Sequence, residues 1–254
     1  MSQTVSPLET CALDNQLLAS LPDAARKRWL PQLELVELSV GQVLCDAGIS
    51  PCHAYFPTTA IVSLVCAMQD GASTETAVIG RDGMVGMSLI MGGDTSSTRA
   101  VVNSAGLAYR LRSPALKREI STGTDVLRPF LRYTLAVIAQ MAQTAACNRH
   151  HSIEQQFCRR LLLALDRSSS NELFLTQELV ASLLGVRREG VTEAALRLQK
   201  AGAIRYSRGH ITVVDRRRLE FRTCECYASA THEGDRLSTI MTLHPAGHRL
   251  AVVR

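Results

Sequence analysis

No apolar run in this chain is long enough to cross a bilayer as a helix. The longest, Ile61–Met68 and Leu161–Leu165, fall far short of the roughly 18 residues that a span requires. The amino terminus, MSQTVSPLETCALD, has no basic stretch leading into an apolar core. No secretory signal is therefore expected, and the cytoplasm is the expected compartment. The eight cysteines contain no CxxC pair and no zinc-type Cys/His spacing. Cys66 and Cys147 lie in apolar surroundings, where a free thiol behaves as a small hydrophobe. Cys224-x-Cys226 is the one close pair. His150 and His151 are adjacent and would diverge by about 100° on a helix, a poor geometry for shared ligation. Neither metal nor cofactor is expected from these patterns. The motifs GxSxG, HExxH and the P-loop are missing, as is any paired-carboxylate constellation, which leaves an enzymatic reading without a foothold.

What is present is a chain of ordinary globular composition, 254 residues long with 46% hydrophobic and 20% charged residues, comfortable for two domains. The net charge of +5 is modest, but it is unevenly distributed. Residues 1–112 carry −3, residues 113–148 carry +2, residues 149–222 carry +6, and the tail from 223 is neutral. A basic segment beside an acidic one suits a polyanion-binding module joined to a neutral or acidic partner domain; an Arg-rich solvated surface is the alternative.

Between about residues 33 and 112, glycine, proline and Asp-Gly turn signals recur every 8–12 residues. They bracket short β-rich runs at 33–40, 60–68, 74–78, 99–102 and 107–111, the pattern of a β-barrel or jelly roll. A helical leader, 15–30, precedes them. From Asp125 to about Asn148 the period becomes helical. Leu127, Leu131, Thr134, Ile138, Met141 and Ala145 are spaced alternately by four and three, as in the seam of a coiled coil. The helix would bury one stripe on the β-domain and another on a second copy of itself; a single core helix in a monomer is the other reading. A second helix, 152–167, has Ile153, Phe157, Leu161 and Leu165 as its inward stripe and Arg159 and Arg160 on its outer face.

The stretch TQELVASLLGVRREGVTEAALRLQKAG, Thr176–Gly202, carries the strongest signal. Thr176 is a good N-cap, and Glu178 adds a negative charge in the first turn, which the helix dipole favours. Ala181 lets two helices approach, and Gly185 suits a left-handed turn, which makes the unit a helix-turn-helix. Its second helix, about 187–201, has Val191, Ala194, Ala195 and Leu198 as its buried stripe. Arg188 stands at the end where a recognition helix first meets base edges. An arginine bonds guanine O6 and N7 together, and a carboxylate accepts from cytosine N4, so Arg188 with Glu189 forms a base-reading pair. An ordinary helical hairpin with charged surface residues is the competing reading. Ala203–Val214 follows as a β-hairpin with a basic tip, where Arg205, Arg208 and His210 would meet phosphates.

With these features in order, the chain resembles the Crp/Fnr superfamily of bacterial transcription regulators over about residues 15–222. The likeness is strongest in GVRREGVTEAALRLQKAGAIRYSRGHITV and is supported by FPTTAIVSLV, VIGRDGMVGMSLIMGG and RAVV. The resemblance implies an α+β chain with four parts. These are a cyclic-nucleotide-binding-like β-roll over 15–120, a dimerisation helix over 121–150, a winged helix-turn-helix over 151–222, and an extension over 223–254. It implies a homodimeric, sequence-specific regulator with its recognition helix at 187–201. The expected DNA-binding residues are Thr176, Gln177, Arg187, Arg188, Glu189, Thr192, Glu193, Arg197 and Arg208. The implied partners are double-stranded DNA with a pseudo-palindromic operator, RNA polymerase and an unidentified small-molecule effector, with no membrane. Gly86, Met87, Thr98 and Arg99 occupy the family's effector-pocket positions. Two departures weigh against cyclic AMP: methionine replaces the glutamate that holds the ribose hydroxyl, and the arginine of Thr98-Arg99 is out of register for the cyclic phosphate. Gly190 also stands where the family has a phosphate-contacting threonine. A small-molecule sensor whose winged helix binds a protein is the alternative function.

Overall fold

The computed structural model describes residues 14–93, 95–121, 123–168 and 170–232. Two short helices, α1 (Gln16–Ala19) and α2 (Asp23–Trp29), lead into a β-roll. The roll comprises β1 (Glu34–Leu38), β2 (Val43–Cys45), β3 (His53–Pro57), β4 (Ile61–Ala67), β5 (Ser73–Ile79), β6 (Arg99–Ser104) and β7 (Gly106–Arg112). Its antiparallel strands form two sheets, ordered β1-β7-β3 and β2-β6-β4-β5. The turn spacing anticipated five of these strands. It missed β2 and β3, of three and five residues, whose runs are too short or too mixed to alternate visibly.

Helix α3 (Ser113–Ser121) then hands over to α4 (Thr124–His150), 27 residues long, with Pro129 in its second turn. One face of α4 closes the roll. Phe130 stacks on Trp29 with ring centroids 5.6 Å apart, and Val126, Tyr133 and Val137 join the same core. The buried Tyr133 hydroxyl donates to the Met84 carbonyl at 2.8 Å, so the hydroxyl is satisfied as burial requires.

Helix α5 (Ile153–Asp166) begins at Ser152, whose hydroxyl and the Gln155 side chain form a reciprocal capping box. Strand β8 (Glu172–Phe174), helices α6 (Gln177–Leu184) and α7 (Arg188–Lys200), strands β9 (Ile204–Ser207) and β10 (His210–Val213), and α8 (Arg216–Arg222) complete the second unit. Its sheet runs β8-β10-β9, and residues 225–232 are again helical. The part of the tail from 233 onward lies outside the described residues.

Arg159 and Arg160, expected on the outer face of α5, are only 5% and 4% exposed. The reason is that α5 is buried on both sides. Phe157, Leu161 and Leu162 enter the core of the second unit, and Arg160 turns to the roll, where it pairs with Glu75 of β5 at 2.5 Å. A β-bulge places that carboxylate. On β5, Ile79 and Ala77 point into the roll; the register then steps past Thr76, so that Glu75 comes opposite Val65. Ser63 of β4 donates to the Glu75 carboxylate and accepts from the Asn103 amide. Ile61 and Val78 of the roll bury their side chains in the core of the second unit, beside this polar cluster.

Removing one partner of a buried pair leaves the other charge without compensation. Glu75→Ala should therefore cost on the order of 3–5 kcal/mol in urea unfolding. The apolar double variant Glu75→Leu/Arg160→Met should recover most of that loss. Equal midpoints for wild type and Glu75→Ala would show that the pair carries no such role.

Candidate nucleic-acid interface

The two helices of the reader meet as the sequence indicated. Thr176 caps α6, its hydroxyl accepting from the Leu179 amide at 3.1 Å. Gly185 ends α6 with φ +66°, and a Cβ there would also run into Thr74 of the roll. Arg187 is the N-cap of α7, so the helix begins at Arg188, one residue later than expected. Val191, Ala194, Ala195 and Leu198 are all buried, and the opposite face presents Arg188, Glu189 and Glu193 to solvent. Gly190 allows α7 to lie close on α5, since a Cβ at that position would come within 2.5 Å of Ile153 Cδ1.

The expected DNA-binding residues separate into three groups. Arg187, Arg188, Glu189 and Arg208 are exposed, and no ion pair engages them among the described residues. Thr192 and Gln177 bond to each other across the two helices at 2.8 Å, which fixes their mutual orientation. Arg197 requires a correction. Its Nε reaches Glu154 of α5 at 2.6 Å and its Nη1 reaches Glu193 at 2.6 Å. This side chain ties α7 to α5 and is not a free base-reading cation. Burial alone would raise the Glu154 carboxyl, but hydrogen bonds from Arg197 and Arg222 hold it below the ordinary carboxylate range.

The same sorting applies to the basic excess of the segment. Arg160, Arg167, Arg197, Arg216, Arg218 and Arg222 all pair with carboxylates. Of the other basic residues of the segment that face solvent, Arg187 and Arg188 lie at the start of α7 and Arg205 and Arg208 on the β9–β10 hairpin, while Arg149, Lys200 and Arg217 lie elsewhere. At the hairpin tip Arg208 has φ +49° and Gly209 φ +82°, the two positive values that a type I′ turn demands. Asparagine normally fills the first of these positions. Arginine accepts the left-handed conformation at a cost of about 1–2 kcal/mol, which suits a site kept for its charge. Strand β8, absent from the sequence expectation, pairs with β10 and supports this wing, with Phe174 edge-on to His210 at 5.0 Å between ring centroids.

On the long helix the outward seam is displaced from the expected one. Thr134 is only 5% exposed, its hydroxyl donating to the Phe130 carbonyl, and Leu127 and Met141 pack on the roll core. These three face inward. Leu131, Ile138 and Ala145 face outward as expected, joined by Leu135 and Ala142. The outward row keeps the alternation of four and three, but it runs 131, 135, 138, 142, 145.

In the roll, Gly86 is left-handed with φ +103°, and Met87 packs against the core. Thr98 precedes β6, where alternation buries Ala100 and Val102 and leaves Arg99 on the outer face. Arg99 pairs there with Asp46 at 3.0 Å, both side chains about half exposed. The arginine offered for an effector phosphate therefore lies on the surface of the roll.

One grouping was not assembled from the sequence, which showed Cys224-x-Cys226 only as an isolated close pair. Cys147 and His151, at the end of α4, meet Cys224 and Cys226, from beyond α8, with all four potential ligand atoms within 4.8 Å of one another. The i, i+4 spacing of Cys147 and His151 was the available signal, but the other half lies some 75 positions away in the chain.

Comparison with known proteins agrees with this architecture. Residues 35–122 match the model of the cyclic nucleotide-binding domain, and residues 155–222 match that of the Crp-like helix-turn-helix domain; together they span more than half of the chain. No curated protein matches it. FixK2 of Bradyrhizobium japonicum is similar in fold, with a TM-score of 0.63 at 15% identity, over 76% of this chain and 98% of that one. A Crp/Fnr-family transcriptional regulator of Eubacterium rectale gives 0.59 at 20% identity, over 81% and 96%. The c-di-GMP-responsive global regulator CLP of Xanthomonas campestris gives 0.59 at 15% identity, over 76% and 99%.

The turn at Arg208 offers a direct check. Arg208→Asn should stabilise the fold by about 1 kcal/mol in chemical denaturation by relieving the left-handed arginine. A destabilised variant would mean that the arginine side chain supports the wing in some other way.

Proposed function

Because the chain belongs to the Crp/Fnr superfamily of transcription regulators, with a cyclic nucleotide-binding-like domain and a Crp-like helix-turn-helix, we propose that it reads a pseudo-palindromic operator as a homodimer. The α4 helices pair through Leu131, Leu135, Ile138, Ala142 and Ala145. The two α7 helices then enter successive major grooves about 34 Å apart. The observation that carries this reading is the start of α7. Arg188 and Glu189 stand exposed there with no ion-pair partner among the described residues, on a helix whose opposite face is buried, while nearby arginines are consumed by internal pairs. Arg188 reads guanine, Glu189 accepts from cytosine, and Arg187 and Arg208 contact the phosphates on either side. Thr176 and Gln177 lie at the start of α6, which crosses the backbone. Glu193 is committed to Arg197 and shapes the helix more than it reads bases.

The roll acts as the regulatory body, and its effector is not cyclic AMP bound in the family manner. Met87 has no acceptor for a ribose hydroxyl, and Arg99 is held outward by Asp46. RNA polymerase and a different small molecule are the remaining partners.

Selection from random DNA followed by titration tests the reading. Arg188→Ala should lose about 1–3 kcal/mol of affinity and relax preference at one base position in each half-site. Arg208→Asn should instead weaken all sequences alike and lower the slope of log affinity against log salt by about one. A protein that selects no sequence, or that selects the same one after Arg188→Ala, would sink the proposal. The dimer seam has its own test: Leu135→Glu with Ile138→Glu should sediment as a monomer with the roll still folded, whereas an unchanged dimer would exclude this face.

A further inference from the structure

The fold gathers three thiols and an imidazole at the joint between α4 and α5, in a grouping that DNA reading does not use. Cys147 lies in the last turn of α4, and His151 caps that helix, its amide donating to the Cys147 carbonyl at 3.0 Å. Four residues apart on one helix face, the two side chains point the same way. Cys224 and Cys226 approach from the segment after α8. Cys147 Sγ lies 3.6 Å from Cys224 Sγ, and Cys226 Sγ lies 3.5 Å from His151 Nδ1.

We propose that Cys147, His151, Cys224 and Cys226 bind one zinc ion per chain as a closed structural site that clamps the segment 223–232 to the end of α4. Bond lengths near 2.3 Å for sulfur and 2.0–2.1 Å for nitrogen give a zinc tetrahedron edges of roughly 3.5–3.8 Å. The two close separations have that size, and all six lie within 4.8 Å. Three thiolates and one histidine form a common structural zinc set, with no position left open for water. The cysteines are 0%, 5% and 2% exposed and form a cluster of their own, apart from both hydrophobic cores.

The surroundings distinguish this site from thiols merely packed as small hydrophobes. His151 Nε2 is 3.2 Å from a Glu225 carboxylate oxygen, while Nδ1, the other ring nitrogen, faces Cys226 Sγ. That carboxylate–histidine arrangement typically orients a ligating imidazole. The Gln143 amide donates to Cys226 Sγ at 2.9 Å, treating the sulfur as an acceptor. Arg159, 5% exposed, donates from Nη2 to the Thr144 hydroxyl at 3.0 Å, but its buried Nε has no hydrogen-bond partner and no carboxylate pairs with it among the described residues. Zinc with three thiolates and a neutral imidazole carries one net negative charge, which supplies the counter-ion that this guanidinium otherwise lacks. Binding displaces three thiol protons as three Zn–S bonds and one Zn–N bond form, with no change of oxidation state.

Elemental analysis of the full chain, purified without a metal-binding tag and dialysed after exposure to zinc, should give close to one zinc per chain. Cys224→Ser/Cys226→Ser should give almost none. Cobalt substitution should produce the intense visible bands of a tetrahedral thiolate complex, and strong chelation should lower the thermal midpoint. If the double variant does not fold, Glu225→Gln decides, since it retains all four ligands. Its zinc affinity in competition with a chromophoric chelator should fall ten- to hundredfold. An unchanged affinity overturns the site as described. So does zinc-exposed wild type that retains no zinc, a Cys147–Cys224 disulfide found by mass spectrometry, or an iron–sulfur chromophore.

Discussion

Arg160 and Glu75 impose the strongest constraint on this molecule. Two charges taken out of water cost several kcal/mol each, and close pairing with further hydrogen bonds is what compensates. Here the carboxylate belongs to the roll, where Ser63 and Asn103 support it, and the guanidinium to the first helix of the reader, where its Nη1 has no hydrogen-bond partner among the described residues. The pair thus fixes more than a local contact. It sets which face of α5 turns to the roll, and through α5 it sets where α7 stands, since Ile153 packs against Gly190 and Glu154 holds Arg197. Ile61 and Val78 add apolar burial on the same surface, but burial is non-directional. The ion pair supplies the register, together with the Arg167–Asp82 pair at 2.7 Å and the Ser73–Ser182 hydrogen bond at 2.6 Å.

A bulge makes that pairing available. Were Thr76 paired in regular register, strict alternation would send Glu75 into the apolar interior of the roll with Ala77 and Ile79. Similar local departures occur where the reader meets solvent, as at Arg208, where a left-handed arginine takes a place suited to asparagine. Both are positions at which the most favourable local conformation is given up for a charge in a particular place. One charge is directed to the neighbouring unit and the other outward to a polyanion.

Much of this was legible in the amino-acid sequence, and the exceptions share a cause. The helix-turn-helix could be read because its determinants are local: a capping threonine, a glycine at the left-handed turn, and a buried stripe at helical spacing. The roll could be read from its turns, apart from strands too short to alternate. The long helix showed its period but not its phase, because both faces of α4 are apolar and only tertiary contact decides that Thr134 turns inward and Leu135 outward. Arg159 and Arg160 were misplaced for the opposite reason. Arginine normally marks solvent, and only a helix covered on both sides, with a carboxylate arriving from β5, reverses that. Cys147 and Cys224 are 77 positions apart, beyond the reach of any spacing rule.

These observations meet at the joint between His151 and Ser152. His151 ends the long helix in an extended conformation, and Ser152 opens α5 with its capping box, so the chain changes direction at one defined point. On one side of that point the thiol–imidazole cluster holds the tail against α4; on the other, Arg160 holds α5 against the roll. A change in the roll that moved β5 would act on α5 through a buried ion pair, which tolerates little displacement before its desolvation is uncompensated. A clamp at the end of α4 would make α5 turn about that joint and α7 with it, while α6, which itself touches β5 through Ser182 and Gly185, would follow the roll directly. In a dimer joined along α4, such a rotation changes the separation of the two recognition helices, the quantity that an operator with fixed half-site spacing measures.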